Sequence, residues 1–407
     1  MLLIKCFFLV LQCTILFHIW GMTEAAEDVP IEIIYMPNPT LLETIYDTIY
    51  STFILKPMDV IFIAYKAENP TASLDAKTVK YDHMKKVAFY THGFQTPLLD
   101  DSVSMKDAIF EGTNDYDCVI LVDWRNGTFA NDSYLSLVNN YKTAAIENVP
   151  TVGEYLAEFI DNHITNKFTY VHLLGHSLGA QISGIAARTV TKNNPSRVLN
   201  RISAMDPAGP IFEYGFNFYI GKIFPIITKH TLRKTDAKFV DVIHASSMLG
   251  MIKEAGHIDI YIDEVDCNFY GIICAHSKAF YVFKASINKC SQMVCPYGKL
   301  TNKNECTYES RKELSSLGIL SPMYEGQGKY IARFFKSSGW FNLIKHSTGL
   351  CTDYLNVNLK AKERICYSNN KCIKKPYQTM CEEENKICKN ITDIQGLEGP
   401  EVKVAWV

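Results

Sequence analysis

The sequence predicts an α/β protein built on a mostly parallel central sheet with helices on both faces. Short runs of apolar, β-branched and aromatic residues recur along the chain, and they are continuously apolar rather than alternating, which is typical of strands buried on both faces. Between two of these runs, behind Pro150, the residues Val152, Leu156 and Phe159 repeat at the spacing of one helix face. With 407 residues, 47% of them hydrophobic, the chain can bury the core that such a sheet requires.

Seven segments carry the strand pattern, in the order VIFIAY, KVAFYTHGF, CVILVDW, YVHLLG, RISAMDP, FVDVIHAS and HIDIYI. The helical segment TVGEYLAEFIDNHI lies between the third and the fourth. A second predicted helix, rich in small residues, begins directly after the fourth strand. Strands that alternate with helices in this way predict parallel pairing through helical crossovers.

The amino terminus predicts a cleaved secretory signal over residues 1–26. Lys5 precedes an apolar run from Cys6 to Trp20, and small residues follow at Ala25 and Ala26. The alternative is an uncleaved anchor helix, but the run is only about 15 residues long, and a spanning helix usually needs about 20. No later segment is long and apolar enough to cross a bilayer, so the sequence predicts a secreted, extracellular protein.

Cysteine usage agrees with an oxidising compartment. The sequence has 13 cysteines, of which two lie in the predicted signal. Residues 27–340 form the predicted main domain, and residues 341–407 form a polar, Lys-rich tail with five cysteines, which we expect to be stapled by disulfides. An odd count in the mature chain leaves at least one cysteine unpaired or bonded to another chain. No cysteine pair has C-x-x-C spacing, so no metal is expected.

Two further features bear on the surface of the protein. The sequons at Asn126, Asn131 and Asn390 are candidate glycosylation sites on the secretory route. A formal net charge of -2, from 41 basic and 43 acidic residues, gives no global bias toward nucleic acid, and no nucleic-acid partner is expected.

The segment Gly175-His176-Ser177-Leu178-Gly179 is the strongest chemical signal in the chain. It stands where an apolar strand gives way to a helix, and a tight turn there would expose the serine hydroxyl while crowding the residues two before and two after. Glycine at both positions removes that crowding. The helix that follows points its first N–H groups at the site, where they favour negative charge. The pattern therefore predicts a nucleophilic serine on an α/β-hydrolase fold.

A nucleophilic serine needs an acid and a base, which follow it along the chain in this fold. Asp206 ends the next predicted strand, whereas the competing acid Asp123 precedes the serine. Three histidines follow Asp206: we expect His244 and His257, inside strand-like runs, to be structural, whereas His276 stands at a predicted loop-to-helix junction. Spacing alone prefers His276 without deciding the matter.

Seven ordered blocks resemble the pancreatic lipase family: AFYTHGF, VILVDWR, VHLLGHSLGAQISGIAAR, ISAMDPAGP, KTDAKFVDVIHAS, GHIDIYI and CAHSKAF. The resemblance covers residues 55–340 and implies that Ser177, Asp206 and His276 are the nucleophile, the acid and the base. It also implies an oxyanion hole formed by the backbone N–H groups of Phe94 and Leu178. No cofactor is expected for this chemistry.

The sequence departs from triglyceride-hydrolysing members of that family near the predicted lid. The resemblance implies a lid disulfide between Cys267 and Cys274, but only six residues, NFYGII, separate them. The segment ASSMLGMIKEA after His244 is also short. Both features resemble the phospholipase A1 branch. Residues 211–230 are an aromatic-rich insertion, expected either to pack as an extra element or to serve as a flap. The tail is too short for the family's C-terminal β-sandwich, so no colipase partner is expected.

The sequence thus predicts a secreted carboxylic ester hydrolase acting on lipids, with phospholipase A1 as the favoured activity and phospholipids at a membrane or micelle surface as the substrate. Triacylglycerol lipase is the alternative within the enzyme class. A non-catalytic lipid-binding protein on the same fold is the alternative from another class, and the three filled catalytic positions argue against it.

Overall fold

The computed structural model describes residues 60–94, 98–128, 140–213, 216–218, 222–224, 230–263, 271–288, 292–300, 305–333 and 356–359. The predicted signal at residues 1–26, the sequons at Asn131 and Asn390, and Cys267 lie outside the described residues. So does the tail at 341–407, apart from one short strand.

The described residues contain fifteen strands: β1 (Ile61–Lys66), β2 (Asn69–Asp75), β3 (Lys86–Thr91), β4 (Cys118–Asp123), β5 (Tyr170–His176), β6 (Arg201–Met205), β7 (Phe216–Phe218), β8 (Lys222–Phe224), β9 (Phe239–His244), β10 (Ile258–Asp263), β11 (Gln292–Pro296), β12 (Glu305–Tyr308), β13 (Ser315–Leu317), β14 (Gly328–Arg333) and β15 (Asn356–Leu359). The α-helices are α1 (Leu98–Gly112), α2 (Val149–His163), α3 (Leu178–Asn193) and α4 (Gly271–Asn288). A short π-helix, Ala144–Asn148, leads into α2.

Eleven of these strands form one sheet in the order β13-β11-β14-β10-β9-β6-β5-β3-β4-β1-β2. The seven strands from β14 to β4 pair in parallel, whereas β1, β2, β11 and β13 pair antiparallel at the two sides. The predicted mostly parallel sheet is confirmed, and all seven predicted strands are present. Four strands of this sheet were not predicted: the antiparallel strands β2, β11 and β13 and the parallel strand β14.

Helices cover both faces of the sheet, as predicted. Side chains alternate along β3: Val87 and Phe89 pack on the face covered by α2 and α3, whereas Ala88 and Tyr90 pack on the face covered by α1 and α4. Because both faces are buried, each central strand is apolar at nearly every position, and the burial of β4 is complete along its length. Within the described residues, no helix is long and apolar enough to span a membrane.

Two peripheral elements belong to segments singled out in the sequence. Strands β7 and β8, inside the 211–230 insertion, pair antiparallel as a separate two-stranded sheet. Strand β15, from the tail, pairs in parallel with β12 outside the main sheet. A disulfide joins Cys295 in β11 to Cys306 in β12.

Candidate active site

Ser177 stands in a strained turn between β5 and α3. Its backbone has φ 56° and ψ -121°, a conformation that costs energy for a residue with a Cβ. The turn is held because the Ser177 N–H donates to the Met205 carbonyl at 3.0 Å, and its carbonyl accepts from the N–H groups of Ala180 at 3.1 Å and Ala208 at 3.2 Å. The strain is thus fixed by hydrogen bonds to the ends of two neighbouring elements.

The two glycines around Ser177 relieve different contacts. A Cβ on Gly175 would lie 2.3 Å from the carbonyl oxygen of Gly179, in the first turn of α3. A Cβ on Gly179 would lie 2.1 Å from the carbonyl oxygen of Thr91, at the end of β3. The crowding expected from the sequence is therefore present, but only the first clash arises within the turn. The second arises because α3 packs closely on the neighbouring strand.

Asp206 and His276 form a short hydrogen bond. Asp206 is fully buried, with φ 44°, and follows β6 directly. Its Oδ2 lies 2.6 Å from Nδ1 of His276. Its Oδ1 accepts from the backbone N–H groups of Ala245 at 2.7 Å and Ser246 at 3.1 Å. These three hydrogen bonds fix the orientation of the carboxylate.

The expected position of His276 at a loop-to-helix junction is wrong in detail. Helix α4 begins at Gly271, so His276 lies inside its second turn. Its side chain is nevertheless partly exposed, with 12% of its surface accessible, because it faces the sheet edge at which the parallel strands end. Cys274, two residues earlier in the same helix, is disulfide-bonded.

His176 links the serine turn to His276. Its Nε2 lies 3.2 Å from the carbonyl oxygen of His276, and the two rings are 4.8 Å apart. Burial, reinforced by the nearby His276, lowers the pKa of His176 to about 3. The neutral ring can then donate from Nε2 to that carbonyl without placing a second positive charge beside His276.

The segment from His92 to Phe94 faces Ser177 from the end of β3. A Cβ on Gly93 would lie 2.8 Å from the Cβ of Ser177. Among the described residues, neither the Phe94 N–H nor the Leu178 N–H has a hydrogen-bond acceptor. Two unpaired N–H groups beside a serine are what an oxyanion requires.

His92 fixes the backbone of that segment. Its Nδ1 donates to the Gly93 carbonyl at 2.8 Å, its Nε2 accepts from the Trp124 N–H at 3.2 Å, and the Trp124 indole N–H donates to the His92 carbonyl at 2.9 Å. Burial lowers the pKa of His92 to about 4, which keeps the ring neutral so that it can both donate and accept.

The competing residues have other partners. Asp123 is bound by the Arg125 guanidinium at 2.8 to 3.1 Å. His244 lies between the Met251 carbonyl at 2.7 Å and Asp259 at 2.8 Å, and His257 accepts from the Val240 N–H at 3.0 Å. Of these candidates, His276 is the one that contacts Asp206. In the part of the chain that the structure describes, no cluster of three or more His, Cys, Asp or Glu side chains is placed to bind a metal ion.

Four residues that contribute to the site were not singled out in the sequence. They are Ala245 and Ser246 with their N–H groups, the buried His92, and Gly250, on which a Cβ would lie 2.1 Å from Asp206 Oδ1. Every residue except proline has a backbone N–H group, so its role as a donor cannot be recognised from the residue type. Gly250, in the segment ASSMLGMIKEA, was the one available signal, since a glycine there suggests close approach of another group.

Fold and site together define an α/β-hydrolase with a serine, histidine and aspartate gathered at one edge of a parallel sheet. The chain belongs to the Lipase family, whose family model matches residues 46–268. Among curated proteins it is similar to Phospholipase A1 of Vespula squamosa, with 29% identity over 268 residues, covering 61% of this chain and 83% of the relative. It is also similar to Phospholipase A1 of Polybia paulista, with 28% identity over 293 residues, covering 67% and 86%. Phospholipase A1 2 of Dolichovespula maculata is 31% identical over 226 residues, covering 53% and 69%.

Proposed function

We propose that this protein is a secreted serine ester hydrolase of lipids, a phospholipase A1 that releases the sn-1 fatty acid of phospholipids. The observation that carries the proposal is the 2.6 Å bond between His276 and Asp206, at the same sheet edge as the strained Ser177 turn. The names of the three relatives above support the substrate class.

Ser177 is the proposed nucleophile. His276 takes the hydroxyl proton on Nε2 as Oγ bonds to the sn-1 ester carbonyl carbon. The negative charge that develops on the carbonyl oxygen is stabilised by the N–H groups of Phe94 and Leu178. Asp206 keeps the imidazole in the tautomer with its proton on Nδ1 and stabilises the imidazolium that forms.

The intermediate then collapses. The bond between the carbonyl carbon and the glycerol oxygen breaks, and His276 returns its proton to that oxygen, so that the lysophospholipid leaves and the acyl group stays on Ser177. Water attacks the acyl carbon while His276 takes its proton. The fatty acid leaves as the proton passes back to Ser177.

Phospholipid is proposed over triglyceride because the predicted lid between Cys267 and Cys274 holds only six residues. A cleft without a long apolar cover stays hydrated and accepts a charged phosphate headgroup, which would be costly to bury under apolar residues. No colipase is proposed as a partner. The signal over residues 1–26, the 27–340 domain and the Cys-rich tail remain part of the proposal.

The test compares wild type with Ser177→Ala on phosphatidylcholine vesicles and on long-chain triglyceride emulsions. We expect fatty-acid release from phosphatidylcholine to dominate and to be abolished in the variant, together with labelling by a fluorophosphonate probe. Ser183→Ala is the matched control, because Ser183 lies in the helix that follows Ser177 and its hydroxyl donates to the Gly179 carbonyl at 2.9 Å.

Each contrary result has a distinct meaning. Turnover that survives in Ser177→Ala removes the nucleophile assignment. Faster hydrolysis of triglyceride replaces phospholipase with triacylglycerol lipase. A folded wild-type protein that neither labels nor hydrolyses either lipid is a lipid-binding protein.

A further inference from the structure

The loop that follows β9 wraps around Asp206. We call residues 245–256 the acid loop. Besides donating two N–H groups to Asp206, it is bonded to the chain just beyond that residue: the Gly209 N–H donates to the Leu249 carbonyl at 2.9 Å, and the Met251 N–H donates to the Pro207 carbonyl at 2.7 Å. The position of the acid therefore depends on the position of this loop.

The acid loop is anchored from outside at three places. The carboxylate of Glu213 accepts from the N–H groups of Ile252 and Lys253 at 2.5 and 2.8 Å. The Tyr261 hydroxyl donates to the Ile252 carbonyl at 2.8 Å. The third anchor is His244, whose Nδ1 lies 2.7 Å from the Met251 carbonyl.

His244 is paired with Asp259, and both are almost fully buried, at 4% and 1% exposure. Nε2 of His244 lies 2.8 Å from Asp259 Oδ1. The same carboxylate accepts from the Ala255 N–H at 2.8 Å and the Gly256 N–H at 3.1 Å, which close the far end of the acid loop. Asp259 and His244 thus contact both the middle and the end of the loop.

The hydrogen bonds of His244 fix its orientation. The Met251 carbonyl can only accept, so Nδ1 of His244 donates to it. Nε2 shares the second hydrogen bond with Asp259, whose carboxylate also accepts two backbone N–H bonds from the acid loop. Both ring nitrogens are therefore engaged, one by the middle of the loop and one by the carboxylate that binds its end.

The Tyr261 ring makes this geometry rigid. It stacks on His244 with centroids 4.3 Å apart and an angle of 7° between the planes. The stack prevents the imidazole from turning away from Met251, while the Tyr261 hydroxyl holds the next carbonyl along. Neither His244 nor Asp259 is hydrogen-bonded to Asp206 or His276, so any effect of the pair on these two residues passes through the acid loop.

We infer that His244 and Asp259 are positioning residues for the reaction: through the acid loop they hold the two N–H groups that orient Asp206, and thereby His276. This inference rests on the proposed function. His244 sits in a strand-like run and was expected to be structural, but the loop that it holds with Asp259 supplies the N–H groups that bind the proposed acid.

The two nitrogens of His244 can be separated by substitution. His244→Asn places an amide N–H close to the position of Nδ1 and keeps the hydrogen bond to the Met251 carbonyl. The longer side chain in His244→Gln places its amide close to the position of Nε2, so it keeps the contact with Asp259 and loses the hydrogen bond to Met251. We expect kcat on a soluble monomeric ester to fall about 10- to 100-fold in His244→Gln and clearly less in His244→Asn, with KM within about twofold of wild type in both.

His172→Asn is the matched control. His172 is also buried and bonded through both nitrogens, to the Tyr116 hydroxyl at 2.6 Å and to Ser203 at 2.8 Å, but it does not contact the acid loop. It should lose thermal stability without this kcat effect. If the His244 variants fail to fold, Asp259→Asn tests the same inference. Its amide oxygen can still accept from the N–H groups of Ala255 and Gly256, and we expect its kcat to fall as well.

A spectroscopic readout separates positioning from simple loss of stability. The proton between His276 and Asp206 should give a far-downfield proton NMR signal in wild type and in His172→Asn, and this signal should shift or broaden in His244→Gln. The inference is overturned if folded His244→Gln keeps both the wild-type kcat and the wild-type signal. Because the signal does not depend on turnover, it tests the inference even for a wild-type protein that hydrolyses no ester.

Discussion

Gly250 lies directly against the carboxylate of Asp206. A Cβ at this position would stand 2.1 Å from Oδ1, 2.5 Å from Cγ and 2.6 Å from Oδ2, so no side chain fits while the acid keeps its place. An antiparallel β-bridge joins Gly250 to Ala208, which follows Asp206 in the chain, and holds the loop in this position. A glycine in an irregular loop thus defines the space that the acid occupies.

Gly250→Ala should therefore displace the Asp206 carboxylate while leaving the residue in the chain. The added methyl group forces Asp206 away from His276, and we expect kcat to fall about 10- to 100-fold. Initial rates on a soluble ester and near-UV circular dichroism measure the effect and the fold. Gly184→Ala is the control, since its methyl group meets a different buried carboxylate, Asp236 Oδ2, at 2.8 Å. Equal activity in the two variants would contradict the prediction.

Gly179→Ala should cost more stability than Gly153→Ala. At Gly179 the crowding atoms are the carbonyls of Thr91 and His92, which belong to backbone, whereas at Gly153 they belong to the side chain of Ile185, which can rotate. We expect Gly179→Ala to lose about 1–3 kcal/mol of unfolding free energy and Gly153→Ala clearly less. Urea denaturation gives both values, and a reversed order would count against the packing of α3 on β3.

Acid should destabilise the protein from near neutral pH. The pKa values of His92 and His176 are lowered by burial from 6.5 to about 4 and about 3, and that of His172 is also lowered. As the pH falls, these histidines are therefore protonated in the unfolded chain before they are protonated in the folded protein. Their contribution to the free energy of unfolding is complete above pH 6.5 and is lost as the pH falls toward their pKa values in the folded protein.

Each such histidine should contribute about 1.4 kcal/mol per pH unit within that window. Urea unfolding at several pH values below neutrality, with disulfides intact, measures the slope. His172→Asn should reduce it by the equivalent of one proton. A free energy of unfolding that stays constant across this range is the contrary result.

The buried ion pair between Arg201 and Asp241 should be costly to break. The guanidinium donates to Asp241 at 2.8 and 3.0 Å and to the carbonyls of Ile319 and Gly318 at 2.8 Å. Asp241→Leu leaves that charge buried without its carboxylate, and we expect a loss of about 3–5 kcal/mol. The pair of Arg197 and Asp161, whose side chains are 14% and 24% exposed, is the comparison, and Asp161→Ala should cost clearly less because that guanidinium keeps contact with water. Thermal unfolding of both variants decides between these values.

The sequence was sufficient for six of the seven parallel strands because these are buried on both faces and are apolar at nearly every position, whereas the seventh, β14, is only partly buried and was missed. The edge strands were missed for the opposite reason. β2, with the sequence NPTASLD, is mostly exposed, and β13, SSL, is short and polar, so neither carries a periodic pattern. β2 pairs with β1 across a tight turn and β13 pairs with β11 across a longer connection, but in neither case does the strand's own sequence show the pairing.

The proposed triad could be named from the sequence through its family resemblance, but its surroundings could not. Spacing left three histidines open, and the structure separates them by contact: only His276 bonds to Asp206, while His244 and His257 bond elsewhere. The acid loop acts through backbone N–H groups and one glycine, which residue identity hardly constrains. Cys118 shows the same limit, since no pattern in the sequence indicated that its buried thiol would be unpaired.

Cys118 lies in the middle of the molecule, in β4, fully buried and unpaired, and burial raises the pKa of its thiol to about 12. Because disulfide exchange requires a thiolate, this buried thiol is a poor partner for exchange with other cysteines as long as the sheet stays folded.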